Sequence, residues 1–560
     1  MIQSTDFRRR PQLNTIEAIT EILKREGVEY LPCFPTTPVI EAAALGGIRP
    51  IICRQERVGV GIADGISRVS NGDKMGVFAM QYGPGAENAY PGIASAYSDS
   101  VPVLLLPLGH PRDRAGINPH YSSLKSYDDV TKAIEQVNTA DRTSEVLRRA
   151  FAGLRQGRGG PMAVEIPADI ALEDVSEEAF YYIPSRPMIS QGDPGDVEAA
   201  AKALCAAHYP VIMAGQGVLY GKATDELIEL AELLQVPVCS TLLGKSAFPE
   251  VHPLALGSTG PTMSGHAYHF IRRADLMFGI GTSFTKHGMV MNIPSGKTLI
   301  QATNDASDIN KDYNIDLPIV GDAKLVLRQM IDACKEIVGN SRKDDQSTAK
   351  EIRTEREGWL NEWRAKLSDS STPMPPYRVI WDFMHTIPPE EAIVTHDSGS
   401  PRDQITPFYR SNGPRTYLGW GKSHGLGTGL GLTIGAKLAA PEKVCVNFMG
   451  DAAFGMVGLD FETAVRSGIP IITVVLNNSS MAVETRQMAD SHELYGTRDL
   501  GGNYADLGKA MGGYAERIED PNQITAAFTR ARKVTEEEGK AVLLEFITSE
   551  ETEVSHRRAF

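Results

Sequence analysis

The sequence predicts an α/β protein built from three doubly wound parallel-sheet units. Three observations predict it. The chain has 560 residues, more than one domain usually holds and close to what three need. Apolar runs of strand length alternate with helical patterns in the first, middle and last thirds. Several of those runs, above all VPVLLLPLG at 101–109, are apolar almost throughout, as strands are when helices cover both faces of a parallel sheet.

In the first third, NTIEAITEILKREGVEYLPCFP (14–35) reads as an amphipathic helix and a short strand. IICRQERVGVGIADGISRVS (51–70) reads as a strand and then a helix with small residues on one face. KMGVFAMQYGPG (74–85) ends a strand in a glycine turn, and GPMAVEIPADI (160–170) is another strand. The polar, proline-bearing stretch SRPMISQGDPGD (185–196) reads as a linker. HYPVIMAGQGVLY supplies a strand and loop, DELIELAELLQ a helix, and VPVCSTLLG, ADLMFGIGTSF and GKTLIQATND three further strands. GNSRKDDQST (339–348) breaks the pattern, and AKEIRTEREGWLNEWRAKL follows as a charged helix. EAIVTHDSG, KVCVNFMGD, PIITVVLNN and AVLLEFIT then resume the alternation. The domains expected are 1–190, 191–345 and 346–560. The first and last share a rhythm without an evident internal repeat.

Apolar residues make up 42% and charged residues 22%, ordinary for a soluble globular chain. The formal net charge of -14 argues against a nucleic-acid or membrane-surface role without a local basic patch. Arg8, Arg9 and Arg10 are too short a cluster to supply one. The six cysteines show no CxxC spacing and read as thiols of a reducing compartment. The opening MIQSTDFRRRPQLN lacks the apolar core of a secretory signal, and no run of membrane-spanning length appears. A cytoplasmic protein is expected.

The stretch from Gly450 to Ser480, GDAAFGMVGLDFETAVRSGIPIITVVLNNSS, carries the clearest chemistry. KVCVNFMG and IITVVLNN read as parallel strands joined by one helix over VGLDFETAVRS. Asp451 and Asn478 then stand at two strand ends, where doubly wound sheets bind ligands. An anionic and a neutral oxygen suit a hard cation such as Mg²⁺, and Gly450, Ala452 and Ala453 leave room for a phosphate beside it. As residues alone, Asp451 also reads as a helix cap and the asparagine pair as a strand end.

The segment resembles the cofactor-binding motif of thiamin diphosphate enzymes: GDG, then a paired asparagine after a helix and a strand. Asn478 falls 27 positions after Asp451, the family's spacing, while Ala452 replaces the usual third-position glycine. The resemblance implies Mg²⁺ held by Asp451, the Asn478 side chain and the Ser480 carbonyl. It extends over nearly the whole chain and implies pyrimidine-binding, central and diphosphate-binding domains in that order. RQERVGVGIADGISR matches the segment of the cofactor-activating glutamate, here Glu56. From its residues alone, Glu56 reads rather as a helix-surface glutamate paired with Arg54 or Arg57. YGPGAENAYPGIASAYSDSVPVLLL matches the glycine turn, here Gly83, Pro84 and Gly85. SHGLGTGLGLTIGAK places Leu426 under the bend of the cofactor and the His424 carbonyl against its amine. In the family the site forms between two chains, which implies a homodimer or a homotetramer.

For the reaction, PVIMAGQGV and LLGKSAFPEVHPLALGSTG resemble the acetolactate synthase branch. Glu484, six positions after Asn478, instead resembles a glutamate of 2-oxo acid decarboxylases and some 2-hydroxyacyl-CoA lyases that handles protons. It also reads as a solvent-facing helix residue. His110, at the end of VPVLLLPLG, and His120 in the next loop are candidates for acid–base work or for binding a substrate carboxylate. GIGTSFTKHGM departs from the flavin-contacting segment of the synthases, so FAD, ADP or CoA in the central domain stays open. The expectation is a lyase or carboligase acting on a 2-oxo acid. The alternatives are a 2-hydroxyacyl-CoA lyase acting on an acyl-CoA substrate and a non-catalytic protein that keeps the fold.

Overall fold

The computed structural model describes residues 12–340, 346–423, 425–556 and 560. Among them the alternation folds into three six-stranded sheets. The first contains β1 (Tyr30–Phe34), β2 (Arg49–Ile52), β3 (Gly76–Met80), β4 (Val103–Gly109), β5 (Ala133–Gln136) and β6 (Met162–Pro167), in the order β2-β1-β3-β4-β6-β5. The second contains β7 (Pro210–Ala214), β8 (Val238–Thr241), β9 (Ala255–Thr259), β10 (Leu276–Ile280), β11 (Thr298–Thr303) and β12 (Leu317–Val320), in the order β12-β11-β10-β7-β8-β9. The third contains β13 (Ala392–His396), β14 (Tyr417–Leu418), β15 (Val444–Gly450), β16 (Ile472–Asn477), β17 (Tyr514–Ile518) and β18 (Val542–Ile547), in the order β14-β13-β15-β16-β18-β17. Neighbouring strands within the sheets pair in parallel.

The first and third sheets therefore share one topology, a repeat that the sequence does not display. The middle sheet has the order of dinucleotide-binding folds, although the glycine fingerprint of those folds is missing from the sequence. The apolar run in β4 has a direct cause. Leu104 and Leu106 pack in one core cluster and Val103 and Leu105 in another, one on each face of the sheet.

Four helices position the site: α1 (Glu56–Val69), α2 (Pro84–Ser98), α3 (Thr428–Ala439) and α4 (Asp451–Val457). α1 and α3 lie backbone to backbone. A methyl on Gly435 would stand 2.1 Å from the Ile62 carbonyl oxygen, and one on Gly61 would stand 3.3 Å from the Gly431 Cα. The small residues of both helices are what allow this approach.

The single helix expected over VGLDFETAVRS is broken. α4 stops at Val457, a 3₁₀ turn covers Gly458–Asp460, and a second helix runs Phe461–Arg466. Asp460 has work outside the helix: its carboxylate accepts from the amides of Arg54 (2.7 Å) and Gln55 (3.1 Å). Those two amides precede α1, whose N-cap Gln55 makes no side-chain cap of its own. Burial pushes the Asp460 carboxyl up to about 6.

Candidate active site

In the third sheet, β13 and β15 are neighbours, but the chain leaves β13 toward one edge and returns through β15 on the other side. Ligands bind at the carboxyl ends of strands at such a switch point. Asp397 follows β13, Asp451 follows β15, and Asn478 follows β16. Asp451 is 3% exposed. Its Oδ1 accepts from the Ala452 amide (2.8 Å), but the N-cap position of α4 belongs to Gly450 and no side-chain cap is made there, so Asp451 is not a helix cap. Its Oδ2 is buried with no hydrogen-bond partner. Burial raises this carboxyl, and the nearby amides of Ala452, Ser479 and Ser480 partly offset the rise.

The two asparagines divide their roles. Asn477 is an anchor: its Nδ2 donates to Glu545 (2.7 Å), and its Oδ1 accepts from the Ser479 amide (2.9 Å). Asn478 is half-buried, and its Oδ1 accepts from the Ser480 amide (3.0 Å). Arg498 fastens the loop further on, donating to the Ser480 hydroxyl (3.4 Å), the Thr485 hydroxyl (2.9 Å) and Glu550 (3.0 Å). Glu484 is half-buried in the turn Ala482–Glu484 on the same loop. Gly450 and Ala452 are half-buried beside Asp451. Ala453 differs from expectation: it lies in the core with Met449, Phe454 and Val457, so its methyl is packing and only its backbone is left for a ligand.

Asp397, which the motifs did not flag, follows β13 at the same end of the sheet. It is fully buried. Its carboxylate accepts from the amides of Ser398 (2.7 Å), Gly427 (2.8 Å) and Gly429 (2.9 Å), which fixes the turn entering α3. That turn carries Leu426, half-buried, with its carbonyl accepting from Arg57. His424 lies outside the described residues.

At the first sheet, Glu56 opens α1 and is 3% exposed. The surface pairing drops out, because Arg54 pairs with Glu462 (2.9 Å) and Arg57 reaches Leu426. Glu56 lies instead beneath the turn after β3: a methyl on Gly85 would stand 3.5 Å from its Oε1. Burial raises its carboxyl, partly offset by its own amide and Asn88. Gly83 holds the turn at φ 64°, a conformation that favours glycine, and Pro84 starts α2. His110 follows β4. Its ring lies 4.7 Å from that of Tyr82 and 4.5 Å from that of His120, so both candidate histidines join the glycine turn in one ring cluster.

Three family models match in chain order: the N-terminal TPP binding domain of thiamine pyrophosphate enzymes at 13–136, their central domain at 197–330, and their C-terminal TPP binding domain at 397–546. A probable acetolactate synthase large subunit of Methanocaldococcus jannaschii is 30% identical over 91% of this chain and 88% of its own length. The chain belongs to the thiamine pyrophosphate enzymes. The large subunit of acetolactate synthase isozyme 3 from Escherichia coli is 28% identical, covering 93% of this chain and 92% of its own. Sulfoacetaldehyde acetyltransferase of Alcaligenes xylosoxydans xylosoxydans is also 28% identical, over 92% and 89%. The chain is thus a thiamin diphosphate-dependent enzyme, similar to acetolactate synthases along most of its length.

A cavity of about 990 Å³ in this thiamin diphosphate enzyme lies at the carboxyl ends of the middle strands. Gly215 and Gln216 after β7 and Gly281 and Thr282 after β10 line it, with Arg158 and Lys422 from the flanking units. Burial pushes the Lys422 ammonium down to about 8. Among the described residues no helix is long and apolar enough to cross a membrane.

Proposed function

We propose that this enzyme is a lyase or carboligase acting on a 2-oxo acid, with Mg²⁺ and the diphosphate of its cofactor held at Asp451, Asn478 and Ser480. The observation that carries the reading is the unpartnered, buried Asp451 Oδ2 at the switch point. A buried carboxylate oxygen without a donor is costly, and a cation supplies what it lacks. The donor set fits: one carboxylate, one amide oxygen and one backbone carbonyl are the oxygen ligands Mg²⁺ takes, with phosphate oxygens and water completing its shell.

Bound thiamin diphosphate supplies the nucleophilic carbon and the electron sink for breaking or making the carbon–carbon bond. The protein's part is orientation and proton handling. Glu56, buried beneath the Gly83–Gly85 turn with its carboxyl raised, would share a proton with a ring nitrogen of the cofactor through a hydrogen bond that the low local dielectric strengthens. Leu426 supports the bend. His110, His120 and Glu484 are placed in this reading on the substrate side, the histidines to bind its carboxylate or move a proton and Glu484 to move a proton.

Large exposed apolar side chains flank both halves: Tyr82 in the glycine turn and Tyr90 and Tyr97 along α2, Met456 in α4 and Leu459 just after it. They support a site completed by a second copy of the chain. The dinucleotide-type strand order and the cationic Lys422 and Arg158 support an adenine-nucleotide ligand in the middle cavity, FAD, ADP or CoA.

The experiment is a panel of 2-oxo acids and acyl-CoA thioesters with thiamin diphosphate and Mg²⁺, read by mass spectrometry of products. Cofactor-dependent consumption of a 2-oxo acid without CoA supports the reading. Consumption of CoA thioesters alone would move it to the 2-hydroxyacyl-CoA lyases.

A further inference from the structure

Gly419, Gly421, Lys422 and Ser423, which precede Leu426, are fastened to the first unit at several points. Asp99 is the C-cap of α2 and fully buried. Its two carboxylate oxygens accept from the Gly421 amide at 3.1 and 2.9 Å, and its Oδ1 accepts from the Lys422 amide at 3.1 Å. Arg68 on α1 braces that carboxylate, with Nη2 3.1 Å from Asp99 and 3.1 Å from Asp64. The same guanidinium donates through Nη1 to the Gly419 carbonyl (2.9 Å). The Ser95 hydroxyl of α2 lies 3.2 Å from that of Ser423. Beyond Leu426, Asp397 accepts from the amides of Gly427 and Gly429. The carbonyl of Asp99 accepts from the side-chain amide of Gln216, which lines the middle cavity. One residue thus touches all three units.

A buried, braced carboxylate is a poor way to gain stability, because desolvation consumes most of the attraction. What it fixes is position: three charge-assisted bonds of 2.9–3.1 Å set where Gly421 and Lys422 stand. Binding constellations need their parts held to about 0.5 Å. We propose that Asp99 is a positioning residue for the cofactor, seating residues 419–423 so that Leu426, just beyond them, would meet bound thiamin diphosphate. The proposal rests on the reading of Leu426 given above.

The test titrates the full-length protein with two probes: thiamin diphosphate with Mg²⁺, and inorganic pyrophosphate with Mg²⁺, which reaches only the Asp451–Asn478 end. Asp99→Asn preserves size, removes the charge facing Arg68 and turns an amide group toward backbone donors. Calorimetry should show thiamin diphosphate affinity lowered about tenfold or more and pyrophosphate affinity unchanged, with the wild-type circular dichroism spectrum. General structural damage would lower both affinities together, and that outcome overturns the proposal, as does unchanged thiamin diphosphate affinity. If D99N does not fold, Ser95→Ala decides by the same pair of titrations: a selective loss supports the proposal, an equal or absent loss overturns it. Leu426→Ala separates the two levels. A normal thiamin diphosphate affinity in L426A sinks the reading of the site and this proposal with it. A loss in L426A with none in D99N removes only the role of Asp99.

Discussion

Glu56→Gln separates chemistry from stability, because burial acts on the two in opposite directions. Glu56 is 3% exposed, and burial raises its carboxyl above the ordinary range. The native protein therefore keeps this proton at pH values where the unfolded chain has lost it. Stability falls as pH rises from the ordinary carboxyl range to the raised native value, and stays at the lower level above it. Glutamine is nearly isosteric and does not ionise, so E56Q should flatten that part of the profile. At neutral pH the apo variant should be at least as stable as wild type, with a gain of at most roughly 1 kcal/mol, because the Glu56 amide and Asn88 already offset part of the cost of burying the charge. Activity should move the other way. Losing a general acid–base group costs about 10²–10⁴ in rate, or roughly 3–5 kcal/mol on the barrier. Urea unfolding of the apo protein across pH reads the first effect. Hydrogen–deuterium exchange at C2 of the bound cofactor, followed by NMR, reads the second. Exchange at the wild-type rate in E56Q would refute the activating role, and a neutral-pH loss of stability would refute the burial argument.

Glu484→Gln should bind cofactor normally and turn over at least about tenfold more slowly, as expected for a proton-handling residue; steady-state kinetics beside a cofactor titration checks this, and normal turnover would leave His110 as the better acid–base candidate. Gly435→Ala places a methyl 2.1 Å from the Ile62 carbonyl oxygen, so forcing α1 and α3 apart should cost roughly 1–3 kcal/mol in denaturant unfolding.

The legible parts of the fold are those that local sequence determines. β3, β4, β15 and β16 are buried on both faces and mostly apolar, and the runs of β4, β15 and β16 end abruptly in glycine, aspartate or asparagine. The edge strands β5, β12 and β17 are only partly buried, β14 is two residues long, and none shows a strand pattern strong enough to read. The shared order of the first and third sheets is a property of crossovers, which periodicity does not record. Asp451 and Asn478 were legible as polar residues ending apolar strands, and the same signal in EAIVTHDSG points to Asp397. Arg498 and Asp99 carry no such signal, because their roles depend on partners distant in sequence: Asp99 meets Gly421 across 322 positions. Glu56 had two readings until the fold buried it and sent Arg54 and Arg57 elsewhere. The break after Val457 was hidden because Asp460 leaves the helix for amides in another unit.

The central claim is that Asp451 joins a divalent cation to the cofactor diphosphate, and calorimetric titration with thiamin diphosphate tests it most directly, run on wild type and Asp451→Asn with Mg²⁺ and with a chelator. The account predicts saturable binding by wild type that disappears with the chelator, and a loss of affinity of at least about tenfold in D451N, the scale at which metal–ligand changes usually register, with the apo fold intact by circular dichroism. Metal-independent binding, or D451N binding as tightly as wild type, would contradict it.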